Sequence, residues 1–164
     1  LVAKPDGRTE LDRMSDIDGE IQVGDLEVFV NSYHNSTMAI SLKNGQPIWV
    51  REIGGYAGLA LLADRVITTD KSGIVWALDR NSGTDLWKQS GLIRRGLTTP
   101  AIQGSYVVVS DTEGYTHWLD SATGDIKGRV KNSAAVTGTP VVSDDGIVYI
   151  QSVDGNVSAY SLAQ

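Results

Sequence analysis

The stretch "RVITTDKSGIVWALDRNSGTDLW", residues 65–87, decides the fold. It opens on the β-branched run "VIT", turns at "DKSG", continues through "VWAL", turns again at "RNSG" and ends on Trp87, four residues after Gly83. Short β-branched and aromatic runs separated by Asp/Asn/Ser/Gly clusters are strand and hairpin chemistry, and no helical spacing is sustained. The same order returns in "EVFVNSYHNSTMAISLKNGQPIW" (27–49), "YVVVSDTEGYTHWLDSATGDIKG" (106–128) and "IVYIQSVDGNVSAYSLAQ" (147–164). The first-turn position is Asn35, Gly73, Gly114 and Gly155, at spacings of 38, 41 and 41 residues. Glycine supplies the positive φ that such a turn needs, and asparagine tolerates it. A second-turn glycine recurs at 45, 83 and 124; Trp49 and Trp87 follow by four residues, and the third copy has Gly128 there.

A four-stranded unit of about 40 residues, repeated, is the pattern of a β-propeller blade. The chain is therefore expected to be all-β, with a leading segment and inter-blade connection over 1–20 and blades over about 21–53, 54–94, 95–134 and 135–164. The fourth copy stops where its second turn should begin, so it is expected to lack its outer strand. Closure removes sheet edges, so half of a larger, truncated propeller is expected, and open blades predispose this chain to pair with another.

Composition narrows the function. The 164 residues carry a formal charge of −6 and no cysteine. Excess negative charge disfavours nucleic acid and anionic membrane surfaces. The missing thiols exclude cysteine catalysis, zinc-thiolate sites and disulfides within these residues. No apolar run approaches the length of a membrane span, and the first residues, "LVAKPDGRTEL", carry neither an initiator Met nor a signal peptide or lipidation site.

The block "ALDRNSGTDLW", with Ala77, Asp79, Gly83 and Trp87, resembles the repeat of the pyrroloquinoline-quinone-like propellers. With "LDRMSDID", "GLIRRGLTTPAI", "SDTEGYTHWLDSATG" and the terminal "IQSVDGNVSAYSL", the chain resembles the C-terminal half of the BamB family. That resemblance implies an eight-bladed propeller of which this chain holds the last four blades. It also implies a lipid-anchored, non-enzymatic scaffold at the periplasmic face of the bacterial outer membrane. Such a scaffold docks on the POTRA domains of BamA and assists insertion of β-barrel proteins, with unfolded outer-membrane proteins as further partners.

"LDRMSDIDGE", residues 11–20, holds the main candidate site. A calcium loop is a poor match: with Gly19 at loop position 6, Met14 stands at position 1 where an acid belongs, and Asp25 stands at position 12 in place of the glutamate. Counting back from each blade's first strand, Asp16 corresponds to Gly54, Arg95 and Ala135, and Asp18 to Tyr56, Leu97 and Thr137. The repeat does not need acid there, so the pair is a local addition to an inter-blade connection. A solvated turn and a partner surface both remain open on these residues. The resemblance implies the surface that binds BamA, with Arg13 a weaker member. Arg94 and Arg95, in "GLIRRGL", read as a solvated loop, or else pair with acids on the same face or on a partner.

His34 and His117 occupy different repeat positions, so a shared metal site is not expected. Trp49 and Trp87 recur at one position and read as blade packing; Trp76 and Trp118 stand one column apart, and at least one is expected to be less buried. Neither a metal nor a cofactor is expected. A quinoprotein dehydrogenase, which would need calcium-binding carboxylates and usually a vicinal cysteine pair, is the rival enzyme reading; an extracytoplasmic sensor or ligand-binding propeller is the third. General acid–base work by Asp16 and Asp18 would need a concave site, which the sequence does not indicate.

Overall fold

A computed structural model describes residues 19–32 and 36–162. Fifteen strands among them form four antiparallel sheets, each a meander taken in chain order. The first holds β1 (Gln22–Val23), β2 (Glu27–Asn31), β3 (Thr37–Ser41) and β4 (Pro47–Arg51). The second holds β5 (Leu59–Leu61), β6 (Arg65–Thr69), β7 (Val75–Asp79) and β8 (Asp85–Gln89). The third holds β9 (Ala101–Gln103), β10 (Tyr106–Ser110), β11 (Tyr115–Asp120) and β12 (Ile126–Lys131). The fourth holds β13 (Val141–Val142), β14 (Val148–Gln151) and β15 (Val157–Tyr160), with no outer strand among the described residues. The first strands of successive sheets, β1, β5, β9 and β13, lie side by side.

The turns explain why the strands stop where they do. At the second turn, Asp79 Oδ1 accepts from the backbone N–H groups of Asn81 and Ser82, and Asp120 Oδ1 from those of Ala122 and Thr123. Gly83 and Gly124 then take φ of 69° and 77°, where a side chain would be strained. At the first turn, Asp70 Oδ1 holds the N–H groups of Ser72 and Ile74. A register shift follows Ala39, Ala77 and Trp118, which are one repeat position, so even the bulge between third and outer strands recurs.

Three apolar layers bind the four sheets face to face. Phe29, Ala39, Trp49, Leu59, Val66 and Leu78 fill the first layer. Ile67, Ala77, Trp87, Leu97, Val107 and Leu119 belong to the second; Val108, Val136, Val148 and Ile150 make a smaller third. On the outward faces of the end sheets, Val23 and Val50 on one and Val141 and Val157 on the other are exposed among the described residues.

The tryptophans rivet the layers, as their recurrence predicts. Trp49 Nε1–H donates to Arg80 O at 2.8 Å, and its indole lies over Gly83, where an added Cβ would come within 2.7 Å. Trp87 repeats this one sheet on, donating to Ser121 O at 2.9 Å and lying over Gly124. The third sheet exchanges the pair. In the first two, alanine faces tryptophan across the strand pair, Ala39 to Trp49 and Ala77 to Trp87; in the third, Trp118 faces Gly128. The indole has moved inward by one strand. Its N–H donates to Gln103 Oε1 at 2.6 Å, and Gln103 Nε2 donates to Gly146 O and Tyr160 O of the fourth sheet. Trp118 and Tyr160 meet edge to face at 5.6 Å. Trp76 and Trp118 are both half-buried, against nearly buried Trp49 and Trp87.

Candidate functional site

Asp16, Asp18, Arg13 and His34 lie outside the described residues. The chain just after the acidic pair is described. An added Cβ on Gly19 would stand 3.0 Å from Gly58 Cα, and one on Gly58 would stand 3.0 Å from both Glu20 N and Thr99 Cγ2. Gly58 N–H also donates to Thr99 Oγ1 at 2.9 Å. Gly19, Ala57 and Thr98 hold equivalent repeat positions, so the ends of successive connections stack beside one another at this point.

The connection equivalent to the acidic one, residues 91–97, separates its two arginines. Arg94 is exposed and takes φ of 65°; its N–H donates to Ser72 O and ties the loop to the first turn of the second sheet. Arg95 turns inward. Its Nε–H donates to Asp111 Oδ2 at 2.6 Å, its Nη2 lies 3.0 Å from Glu113 Oε2, and its guanidinium lies 5.2 Å from the Tyr115 ring centre. Of the two alternatives the sequence left for this pair, Arg95 takes up pairing with acids of its own chain, and Arg94 meets no carboxylate among the described residues.

Arg95 leads to a buried cluster that the sequence does not announce. His117 Nε2 lies 2.8 Å from Asp111 Oδ2, and both side chains are almost completely buried. Asp111 Oδ1 accepts from the Tyr115 backbone N–H at 2.9 Å. Burial pushes the Asp111 carboxyl up, but the bonds from His117, Tyr115 and Arg95 outweigh it and hold it below the ordinary carboxylate value. Burial is also the main influence on His117; with Arg95 and Arg129 it overcomes the pull of Asp111 and holds the imidazole below its ordinary value. The neutral ring therefore donates Nε2–H to Asp111 and leaves a lone pair on Nδ1, which has no hydrogen-bond partner among the described residues.

The signal for this cluster lies in the repeat. Asp111 aligns with Asp70 and His117 with Trp76, and Trp76 Nε1–H donates to Asp70 Oδ2 at 3.0 Å. A ring on the third strand braced against a turn aspartate is thus built twice. Among the described residues no three His, Asp or Glu side chains converge as a metal site, and the four tryptophans are divided among the layers rather than gathered into one aromatic floor.

The family model described as "Outer membrane protein assembly factor BamB" matches residues 1–89 and 81–164. The outer membrane protein assembly factor BamB of Xanthomonas campestris pv. campestris is 39% identical over 99% of the chain and 40% of its own length. The chain thus spans about two fifths of that curated relative. The crystal structure of BamB from Moraxella catarrhalis superposes with a TM-score of 0.88 at 33% identity, over 95% of this chain and 46% of that one. A quinohemoprotein alcohol dehydrogenase from Comamonas testosteroni shares the fold, with a TM-score of 0.70 at 16% identity over 83% of this chain and 29% of its own.

Proposed function

The chain belongs to the BamB family of outer membrane protein assembly factors, and from that premise we propose that it acts as a non-enzymatic docking scaffold at the periplasmic face of the outer membrane. In the full-length protein, held there by a lipid anchor, it binds the POTRA domains of BamA and assists insertion of β-barrel proteins. The observation that carries this reading is the match of one family model, in order, along the whole chain. Likeness to the quinohemoprotein enzyme extends to the fold alone, and fold does not carry function.

Docking rests on Asp16 and Asp18, with Arg13 beside them and exposed Arg94 as a further contact. The support is physical. The repeat places no acid at the equivalent positions, so these carboxylates do not serve the sheets, and loops held by a rigid scaffold are where proteins place recognition groups. Basic or amide donors of a POTRA domain would meet them while neighbouring apolar side chains exclude water. Arg95 contributes indirectly, because Asp111 and Glu113 already hold it.

The test is affinity for isolated POTRA domains, measured with the complete propeller carrying Asp16→Arg or Asp18→Arg. Truncating one partner of a desolvated charge pair costs about 2–5 kcal/mol, so each reversal should weaken binding at least tenfold, chiefly through faster dissociation. Unchanged affinity for both variants would remove the site while leaving the family in place.

A further inference from the structure

The brace between third strand and first turn differs between the second and third sheets in one respect. In the second, the Trp76 N–H donates to Asp70, and Lys88 Nζ caps the indole at 5.5 Å from the ring. In the third, the equivalent positions hold His117 and Arg129. Imidazole lacks the indole's six-membered ring and brings a second nitrogen. Beside it lies an open cavity of about 330 Å³ between the connection and the third sheet, lined by Leu92, Arg95, His117 and Arg129 and open past Gly91 and Ile126. His117 is 1% exposed, and Nδ1 is the nitrogen left without a partner. His117 is nonetheless one of the side chains that line the cavity, and a buried polar atom without a partner calls for one.

Charge decides what binds. Arg95 is spent on Asp111 and Glu113, and Lys127 Nζ lies 3.3 Å from Asp125. Arg129, across the strand pair from His117, stacks on Tyr115 at 5.3 Å and meets no carboxylate among the described residues. The groups around the imidazole are therefore Asp111 and Glu113 from the turn, Arg95 from the connection, Tyr115 on its own strand, and Lys127, Arg129 and Lys131 from β12. The second sheet's connection presents uncharged Gly91 and Leu92. Lys131 donates to the Glu113 backbone O and likewise meets no carboxylate among the described residues, so the surplus charge is positive and lies on Arg129, across from His117, and on Lys131 beside it.

We propose that this cavity is a carboxylate-binding site in which Arg129 holds the anion and His117 Nδ1, having taken up one proton, donates a hydrogen bond to it. The proton comes from the ligand's acid form or from water, and no bond other than to hydrogen is made or broken. Asp111 keeps Nε2–H and stabilises the imidazolium from the far side. The ligand is either a small free carboxylic acid or an Asp or Glu side chain of a bound polypeptide.

The experiment follows the His117 imidazole resonances of the full-length protein by NMR across a pH series, in acetate and in chloride at matched ionic strength. Acetate should move the His117 titration upward, each unit of displacement meaning about tenfold tighter binding to the protonated form. Arg129→Gln should abolish that response. His117→Trp, which copies the second sheet, should fold normally and lose stabilisation by acetate in thermal melts. A blocked Gly-Asp-Gly peptide is the second arm: a response to it assigns the site to polypeptide side chains, and a response to acetate alone assigns it to small acids. Identical titrations in both salts with no effect of the peptide, or a response that survives in Arg129→Gln, would overturn the proposal.

Discussion

Replacing Trp87 with alanine removes one rivet. The indole is 9% exposed, packs against Ala77 across the strand pair and covers Gly124 of the next sheet. Truncating a buried tryptophan to alanine costs about 3–5 kcal/mol. The lost hydrogen bond adds little, because Ser121 O also accepts from Arg65 Nη1 at 2.7 Å and is not left bare. The lower end of that range, about 3 kcal/mol, is therefore expected. Trp87→Phe keeps much of the packing, loses part of the ring volume along with the N–H donor and should cost about 1 kcal/mol. Urea unfolding of the full-length protein measures both. Stacked repeat units gain stability from their interfaces, so a damaged joint between the second and third sheets should lower the midpoint and, if the halves uncouple, the slope as well. A loss below about 1 kcal/mol for the alanine variant would refute the rivet, since surface changes stay within that range.

Four further outcomes are expected. His117 is held below 6.5 in the folded chain, so the unfolded chain binds its proton first; stability should decline as pH falls from above 6.5 toward the folded value, and His117→Trp should flatten that decline. Asp111 is lowered instead, so its contribution is complete above 3.8 and is lost as pH falls through its folded value; denaturant midpoints across pH separate the two. Gly124→Ala places a Cβ 2.5 Å from the Trp87 ring at a φ of 77° and should cost more than about 1 kcal/mol. Gly128→Ala meets nothing within 4 Å and should stay within about 0.5 kcal/mol, as thermal melts of the pair would show.

The repeat made the sheets legible because turn chemistry and strand alternation are local: Gly73, Gly114 and Gly155 mark first turns, and Gly83 and Gly124 mark second ones, before any contact is known. Trp49 and Trp87 were legible as packing for the same reason. The Asp111–His117–Arg95 cluster was not. Its members come from a connection, a turn and a strand, and the adjacent arginines look alike until the positive φ of Arg94 sends their side chains apart. The inward move of the indole in the third sheet was half visible. Gly128 announced a missing rivet, but only the pairing of Trp118 with Gly128 shows where the ring went. Asp16 and Asp18 were singled out by what the repeat lacks at their equivalents, and no packing argument reaches them.

The displaced indole also gives the array a sense of order. Sheets that share one rivet are interchangeable: any outer-strand tryptophan fits any second-turn glycine, so a folding chain could join units out of sequence, a characteristic failure of repeat proteins. The third sheet carries no such rivet to offer, and its own hold on the fourth depends on Gln103 reaching Gly146 and Tyr160. A wrong neighbour would leave that fully buried amide without its acceptors, at a cost of about 1–3 kcal/mol. One irregular joint thus tells each unit which neighbour is its own.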